Sequence, residues 1–165
     1  MPASQESSEG RRRLYTRAER ARRDATAWTL VQGILAPLQF LVFLVSLALV
    51  LRYLATGLGY DVATWSIILK TLVLFAIMVT GAIWEKVVFG CYLFAPAFFW
   101  EDAMSMIVVA LHTAYLAAVL LGWGTDMQQI QLALAAYATY VVNAGQFLWK
   151  LRLARLEGED QGAVA

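Results

Sequence analysis

The sequence predicts an all-α integral membrane protein, an antiparallel four-helix bundle preceded by a short, basic, amphipathic N-terminal helix. Three observations carry that expectation. Apolar residues make up 61% of the 165-residue chain and charged residues only 15%, where a soluble domain carries about 25% charge. The apolar residues fall into four runs, at 30–51, 62–89, 98–121 and 127–151, each meeting the ~20 residues that a bilayer core demands of a helix. Short connections bearing Gly, Pro or Asp separate the runs.

In chain order, residues 1–13 (MPASQESSEGRRR) are polar and predicted to be disordered. Thr16 and Glu19 have the spacing of a capping box, which opens a basic helix over 17–27 suited to an anionic lipid surface. Trp28 and Tyr53 bracket the first span as interfacial aromatics. Within it Gln32, Gln39 and Ser46 recur every seven residues and so share a face, while Gly33 and Pro37 permit close packing or a kink. A turn with Gly57, Gly59 and Asp61 leads to the second span, where Lys70, Ile77, Gly81 and Glu85 share a broad face and Gly90 suits a C-cap. Pro96, in the connection 90–97, fits a helix start. The third span places Glu101, Ser105, Val108, His112 and Tyr115 on one face. The turn 122–126 leads to the fourth, with a stripe of Thr139, Asn143, Gln146 and Lys150. The expected organisation is a tail over 1–13, one four-span domain over 14–151, and a charged, frayed tail over 152–165. A polar stripe on every span gives the bundle a polar centre, where helix bundles place their ligands.

Charge sets the expected topology. Arginines 11, 12, 13, 17, 20, 22 and 23 precede the first span, Lys86 borders the 90–97 connection, and Lys150, Arg152 and Arg155 close the chain. The opposite side holds only Arg52, and Lys70 lies within a span. The positive-inside rule then puts both termini and the 90–97 connection in the cytoplasm. These arginines read as topology signals, so no nucleic-acid partner is expected. The first 27 residues are polar and basic, so no cleavable signal peptide is expected either. With a single cysteine, Cys91, and a single histidine, His112, the chain offers no internal disulfide, no His-Glu-x-x-His zinc site and no bis-imidazole iron site.

Most charges of the apolar region gather between Gly81 and His112, among seven aromatic residues. Ionisable groups at membrane depth mark functional sites by default. Glu85 ends the second span, and Glu101 and Asp102 begin the third, so a short loop brings three carboxylates together. Crowding among apolar rings favours a neutral carboxylic acid able to deliver a proton. Glu101 and Asp102 also read as first-turn charges that complement the dipole, as does Lys86 in a last turn, and all lie near the bilayer edge. His112, at mid-span, reads as a satisfied interior group, a proton relay, or an axial ligand to a metallated macrocycle. Trp84, Phe99 and Trp100 read as interface belt or as walls for a flat apolar ligand; Asn143 and Gln146 read as interhelical hydrogen-bonding groups.

The words WEKVVFG (84–90) and LFAPAFFWED (93–102), within the longer stretches 14–57 and 70–116, resemble the 2-vinyl bacteriochlorophyllide hydratase family of bacteriochlorophyll biosynthesis. The resemblance covers about residues 14–150. It implies a hydro-lyase that adds water across the C3 vinyl group of a chlorophyllide-type macrocycle to give a 1-hydroxyethyl group. The substrate would be flat and membrane-partitioning, with an anionic propionate and its own Mg, so no cofactor of the protein's own is expected. Lipid and other enzymes of the pathway are the remaining expected partners, and a bacterial inner membrane is the expected location. Hydration needs a proton donor for the terminal vinyl carbon and a base for water. Glu101 is the expected acid because it shares the His112 face; Glu85 is the expected base, with Asp102 in support. His112, Trp84, Trp100, Phe99, Asn143 and Gln39 are the expected substrate contacts, His112 as ligand to the substrate Mg or hydrogen-bond partner of the ring. The alternatives are a non-enzymatic pigment-binding or assembly subunit ligating the pigment Mg through His112, and a small carrier using Lys70 and Glu85.

Overall fold

The structure is a computed structural model and describes residues 14–162, with side chains through 157; the tail 1–13, expected to be disordered, lies outside the described residues. It is all-helical: α1 (Arg17–Ala25), α2 (Ala27–Thr56), α3 (Tyr60–Phe89), α4 (Phe99–Leu121) and α5 (Asp126–Gly162). The capping box forms as its spacing predicts. The Glu19 amide donates to Thr16 Oγ1 at 3.2 Å, and the Thr16 amide donates to Glu19 Oε2 at 2.7 Å. This satisfies two amides that the first turn of a helix otherwise leaves without partners.

Helices α2, α3 and α4 are long and apolar enough to cross a membrane. At about 1.5 Å rise per residue, the 30 residues of α2 and of α3 exceed the ~30 Å hydrocarbon core, so their ends reach the interfaces. Many large apolar side chains face outward, with Leu30, Trp65 and Leu120 67%, 70% and 79% exposed, as suits lipid contact. Helix α5 is longer but more polar, carrying Gln128, Gln129, Gln131, Asn143, Gln146 and Lys150. It continues to Gly162 through the region the sequence pattern leaves as a frayed tail. There the Glu157 carboxylate accepts the Leu14 amide at 3.1 and 3.2 Å, which ties the segment before α1 to α5.

One core cluster draws buried residues from four helices: Phe43 and Val50 of α2, Ile67 and Leu74 of α3, Val108 and Tyr115 of α4, and Ile130, Tyr137 and Tyr140 of α5. Helix α2 packs most closely on α3 and α4 on α5, whereas α3 and α4 approach at few points. A second, smaller cluster joins Tyr15, Val88 and Phe98. Here Arg22 Nε donates to the Val88 carbonyl at 2.8 Å, Tyr15 stacks on Phe89, and Arg23 lies 4.9 Å from the Tyr15 ring centre. The basic α1 is thereby fastened to the end of α3. Burial pushes the Tyr15 hydroxyl up to about 12.

The connection between α3 and α4 departs from its expected form. Gly90 caps α3 in the left-handed region (φ 89°), as expected. Pro96 does not start the next helix, which begins at Phe99 after a turn closed by the Phe98 amide on the Ala95 carbonyl at 2.8 Å. The Phe94 and Ala95 amides are turned toward carboxylates, and the turn 95–98 comes between them and the helix.

Candidate functional site

Helix α3 delivers Glu85 in its last turns and α4 delivers Asp102 in its first, and both are buried, at 5% and 3% exposure. Their carboxyl groups lie close enough to interact directly. A hydrogen bond between two carboxyl oxygens would need a proton between them. The loop supplies two further donors. The Phe94 amide donates to Asp102 Oδ2 at 2.7 Å, and the Ala95 amide to Glu85 Oε2 at 3.3 Å. Phe94 adopts φ 60° to present its amide, a left-handed conformation that strains an aromatic residue. Successive amides aimed at one point form an anion-binding nest, and here the anion is the carboxyl pair.

An apolar cleft lies between α3 and α4. It has a volume of about 280 Å³, opens at the outer surface, and is lined by Phe75, Met78, Val79 and Ala82 of α3, Leu93 of the loop, and Met106 and Val109 of α4. On α3, Met78 and Ala82 lie seven and three residues before Glu85; on α4, Met106 and Val109 lie four and seven after Asp102. Both carboxyls therefore continue the stripes that line the cleft. Lys86 continues the Val79–Ala82 stripe at the cleft's outer end. Its ammonium donates to the Gly90 carbonyl at 2.8 Å and lies 5.3 Å from the exposed Tyr92 ring centre.

Glu101 is also buried, but it is not brought to Glu85. One residue along a helix is a turn of about 100°, and Glu101 faces α5, where Lys150 Nζ lies 3.6 Å from its Oε1. Lys150 also donates to the Ala97 carbonyl at 2.6 Å. His112 is fully buried. Its Nδ1 donates to the Val108 carbonyl at 2.8 Å, and its Nε2 is 2.9 Å from Lys70 Nζ, so both ring nitrogens are engaged by the protein. Lys70, also fully buried, has no carboxylate partner among the described residues. Its ammonium lies 4.0 Å from the Tyr140 ring centre, a cation–π arrangement. About ten residues of α4 separate His112 from the carboxyl pair, or ~15 Å of helix.

The other expected contacts scatter. Trp84 donates its Nε1–H to Thr29 Oγ1 at 2.9 Å and packs edge-on against Phe89 and Phe98, beside α1 rather than in the cleft. Phe99 and Trp100 point outward at 46% and 73% exposure. Asn143 donates to Ser105 Oγ at 2.7 Å, and Gln39 is buried with its Oε1 lacking a partner. Sequence reasoning did not find the loop amides, because nothing local marks backbone N–H groups as donors to a distant side chain. Nor did it find the Lys70–His112 contact. A signal existed there, since Lys70 lies ten residues into α3 and His112 nine from the end of α4, similar depths on neighbouring helices.

A buried pair of carboxyls on the stripes that line an apolar cleft, in a protein with three helices long and apolar enough to cross a membrane, is the candidate site. The 2-vinyl bacteriochlorophyllide hydratase family model matches residues 15–153, and the chain belongs to that family. It is 72% identical over 148 residues to the 2-vinyl bacteriochlorophyllide hydratase of Cereibacter sphaeroides, covering 90% of this chain and 92% of the relative. It is 69% identical over 156 residues to the protein of the same name from Rhodobacter capsulatus, covering 93% and 91%. No solved structure matches it.

Proposed function

We propose that this protein is a hydro-lyase of bacteriochlorophyll biosynthesis that adds water to the vinyl group of 2-vinyl bacteriochlorophyllide, with Glu85 and Asp102 as its acid and base. The observation that carries the assignment of roles is the buried carboxyl pair beneath the Phe94 and Ala95 amides, on the helix stripes that line an apolar cleft. Asp102 takes the shorter amide bond and stands in the first turn of α4, at the positive end of the helix dipole; Glu85 stands near the negative end of α3. Asp102 therefore holds the charge and Glu85 the shared proton. Glu85 protonates the terminal vinyl carbon, and the resulting cation is delocalised into the macrocycle. Asp102 accepts a proton as the water oxygen bonds to the inner carbon. The product is the 1-hydroxyethyl group, and the pair again carries one proton. This moves the acid from Glu101, the expected donor, to Glu85, because Glu101 is occupied with Lys150.

The cleft lies just under the ~300–1,000 Å³ of small-molecule pockets, so it takes the vinyl-bearing edge of the macrocycle while the rest lies against lipid. Lys86 at the cleft's outer end suits the substrate carboxylate. His112, with both nitrogens engaged, serves the interior of the bundle rather than the substrate Mg, which also disfavours a pigment-binding subunit that ligates through it.

The chain is read as an antiparallel four-span bundle with α5 as the fourth span and both termini on the cytoplasmic face of a bacterial inner membrane. Opposed numbering across each contact supports this. Gln32 meets Thr80 and Ser46 meets Ser66 between α2 and α3; Ser105 meets Asn143 and Glu101 meets Lys150 between α4 and α5. The charge asymmetry of the sequence supports this sidedness. The deciding experiment is purified protein in detergent with the vinyl substrate. A hydratase gives a product heavier by one water. A reversible absorption shift with unaltered substrate mass would instead establish a pigment binder.

A further inference from the structure

Hydration consumes a water molecule, and the carboxyl pair lies in an apolar surround with loop 90–98 folded over it. Unsatisfied groups lie on α2 and α5, across α4 from that pair. Gln39 Oε1, Asn143 Oδ1 and Gln146 Oε1 are buried with no hydrogen-bond partner, and Gln39 and Asn143 are only 3% and 6% exposed as residues. Buried carbonyls nearly always find a donor, so each one without a protein partner calls for water.

Helix register sets these atoms along one seam. Between α2 and α5, Ser46 Oγ is 2.6 Å from the Tyr137 hydroxyl, and the Phe43 ring lies 4.9 Å from that of Tyr140. One turn further along each helix, the same opposed register brings Gln39 level with Asn143. Asn143 is bonded to Ser105 of α4, and Gln146 lies one turn on toward Lys150, which reaches Glu101. Ser105 follows Glu101 by four residues and Asp102 by three, so on the helix surface it neighbours both. The seam thus runs from the Lys150 end of the bundle inward to Ser105, one turn above the base of the carboxyl pair. Exchanging the Asn143 amide atoms would still leave one of them without a partner. The ammonium of Lys150 at the outer end argues against a metal cation in the seam; a neutral donor with two protons fits three carbonyl oxygens.

We propose that Gln39, Asn143 and Gln146 hold a buried file of water between α2, α4 and α5 that supplies the hydration reaction. This rests on the hydratase reading and assigns Gln39 and Asn143 to water rather than to the macrocycle. The test uses the full chain in lipid nanodiscs with two readouts. Solid-state NMR is expected to show water cross-peaks to the Asn143 and Gln146 side-chain amides without substrate, and Gln39→Met, which fills the seam with an apolar side chain of similar length, is expected to remove them. In turnover, Gln39→Met is expected to lower kcat about tenfold or more with KM for the vinyl substrate unchanged, a split that a merely structural defect would not give. Asn143→Leu provides a second variant should Gln39→Met fail to fold. Absent cross-peaks in the wild type, or wild-type kcat in the folded variants, would overturn the proposal. Cross-peaks in a wild-type protein that never hydrates the substrate would instead overturn the hydratase reading and leave the water seam standing.

Discussion

Replacing Glu85 by Gln is the sharpest perturbation of the proposed chemistry, because the structure says what the amide would keep. Its Oε1 can still accept the Ala95 amide, and its Nε2 can donate to Asp102, so the contact between the two helix ends survives. Only the transferable proton is lost. Asp102→Asn is the mirror experiment. Its Oδ1 keeps the Phe94 amide, held at 2.7 Å in the native protein, and the base is lost. A general acid or base contributes about 10²–10⁴-fold, or about 2.7–5.4 kcal/mol of transition-state stabilisation at 1.36 kcal/mol per tenfold. Each single variant is therefore expected to lose kcat by that factor while substrate still binds, as read by its absorption shift. The two carboxyls work as one unit, so the double variant is expected to lose little more than either single one. The assay is product formation by mass, with helicity and thermal unfolding checking that each variant is folded. Turnover within threefold of wild type in both single variants would refute the mechanism, and the pair would then be no more than the clasp of the α3–α4 loop.

Other outcomes follow from the same structure. Reporter fusions after Gly59 and after Gly124 are expected to report the periplasm, and a cytoplasmic signal at either would break the four-span topology. Lys70→Met leaves His112 Nε2 without its donor and is expected to destabilise the bundle by about 1–3 kcal/mol; adding His112→Leu is expected to return part of that loss, read as thermal unfolding in a double-mutant cycle. The Tyr15 hydroxyl, raised by burial to about 12 from 10.0, contributes stability that is full below pH 10 and lost as pH rises through about 12, by up to about 2–3 kcal/mol; Tyr15→Phe is expected to remove that alkaline loss from the unfolding curve.

The helices were legible because periodicity and caps are local. Thr16 and Glu19, the turn glycines, and the seven-residue spacing of Gln39 and Ser46 gave element positions within a few residues. The three buried carboxylates were legible as a group for the same reason, since a loop of about nine residues cannot hold two helix ends far apart. Their pairing was not legible. Choosing among Glu85, Glu101 and Asp102 depends on which face of α4 meets α3 and which meets α5, and that is decided by packing across the whole bundle. The stripe from Glu101 to His112 was identified correctly as interior, yet that is the reason Glu101 meets Lys150 instead of Glu85. The aromatic residues misled in a similar way. Trp100 and Phe99 are adjacent to the site in sequence, but on the helix surface they point to lipid.

Adjacent acids at the start of α4 divide two environments that a membrane hydratase must keep apart. The vinyl edge needs an apolar approach from the bilayer, and the reacting water needs a polar approach from the aqueous side. A rotation of about 100° between successive residues lets Asp102 face the apolar cleft and Glu101 face the polar seam without any further device. Ser105 closes the arrangement one turn deeper, beside both. Moving an acid by a single position would turn it from one environment into the other. On the proposed mechanism, the order Glu101–Asp102, rather than the presence of two carboxylates, is therefore what the site requires. Exchanging the two residues for neutral amides one at a time separates their roles. Loss at Asp102 is expected to fall on the chemical step, while Glu101→Gln releases Lys150, a partly exposed partner, and is expected to fall mainly on stability, by about 1 kcal/mol or less given solvent screening.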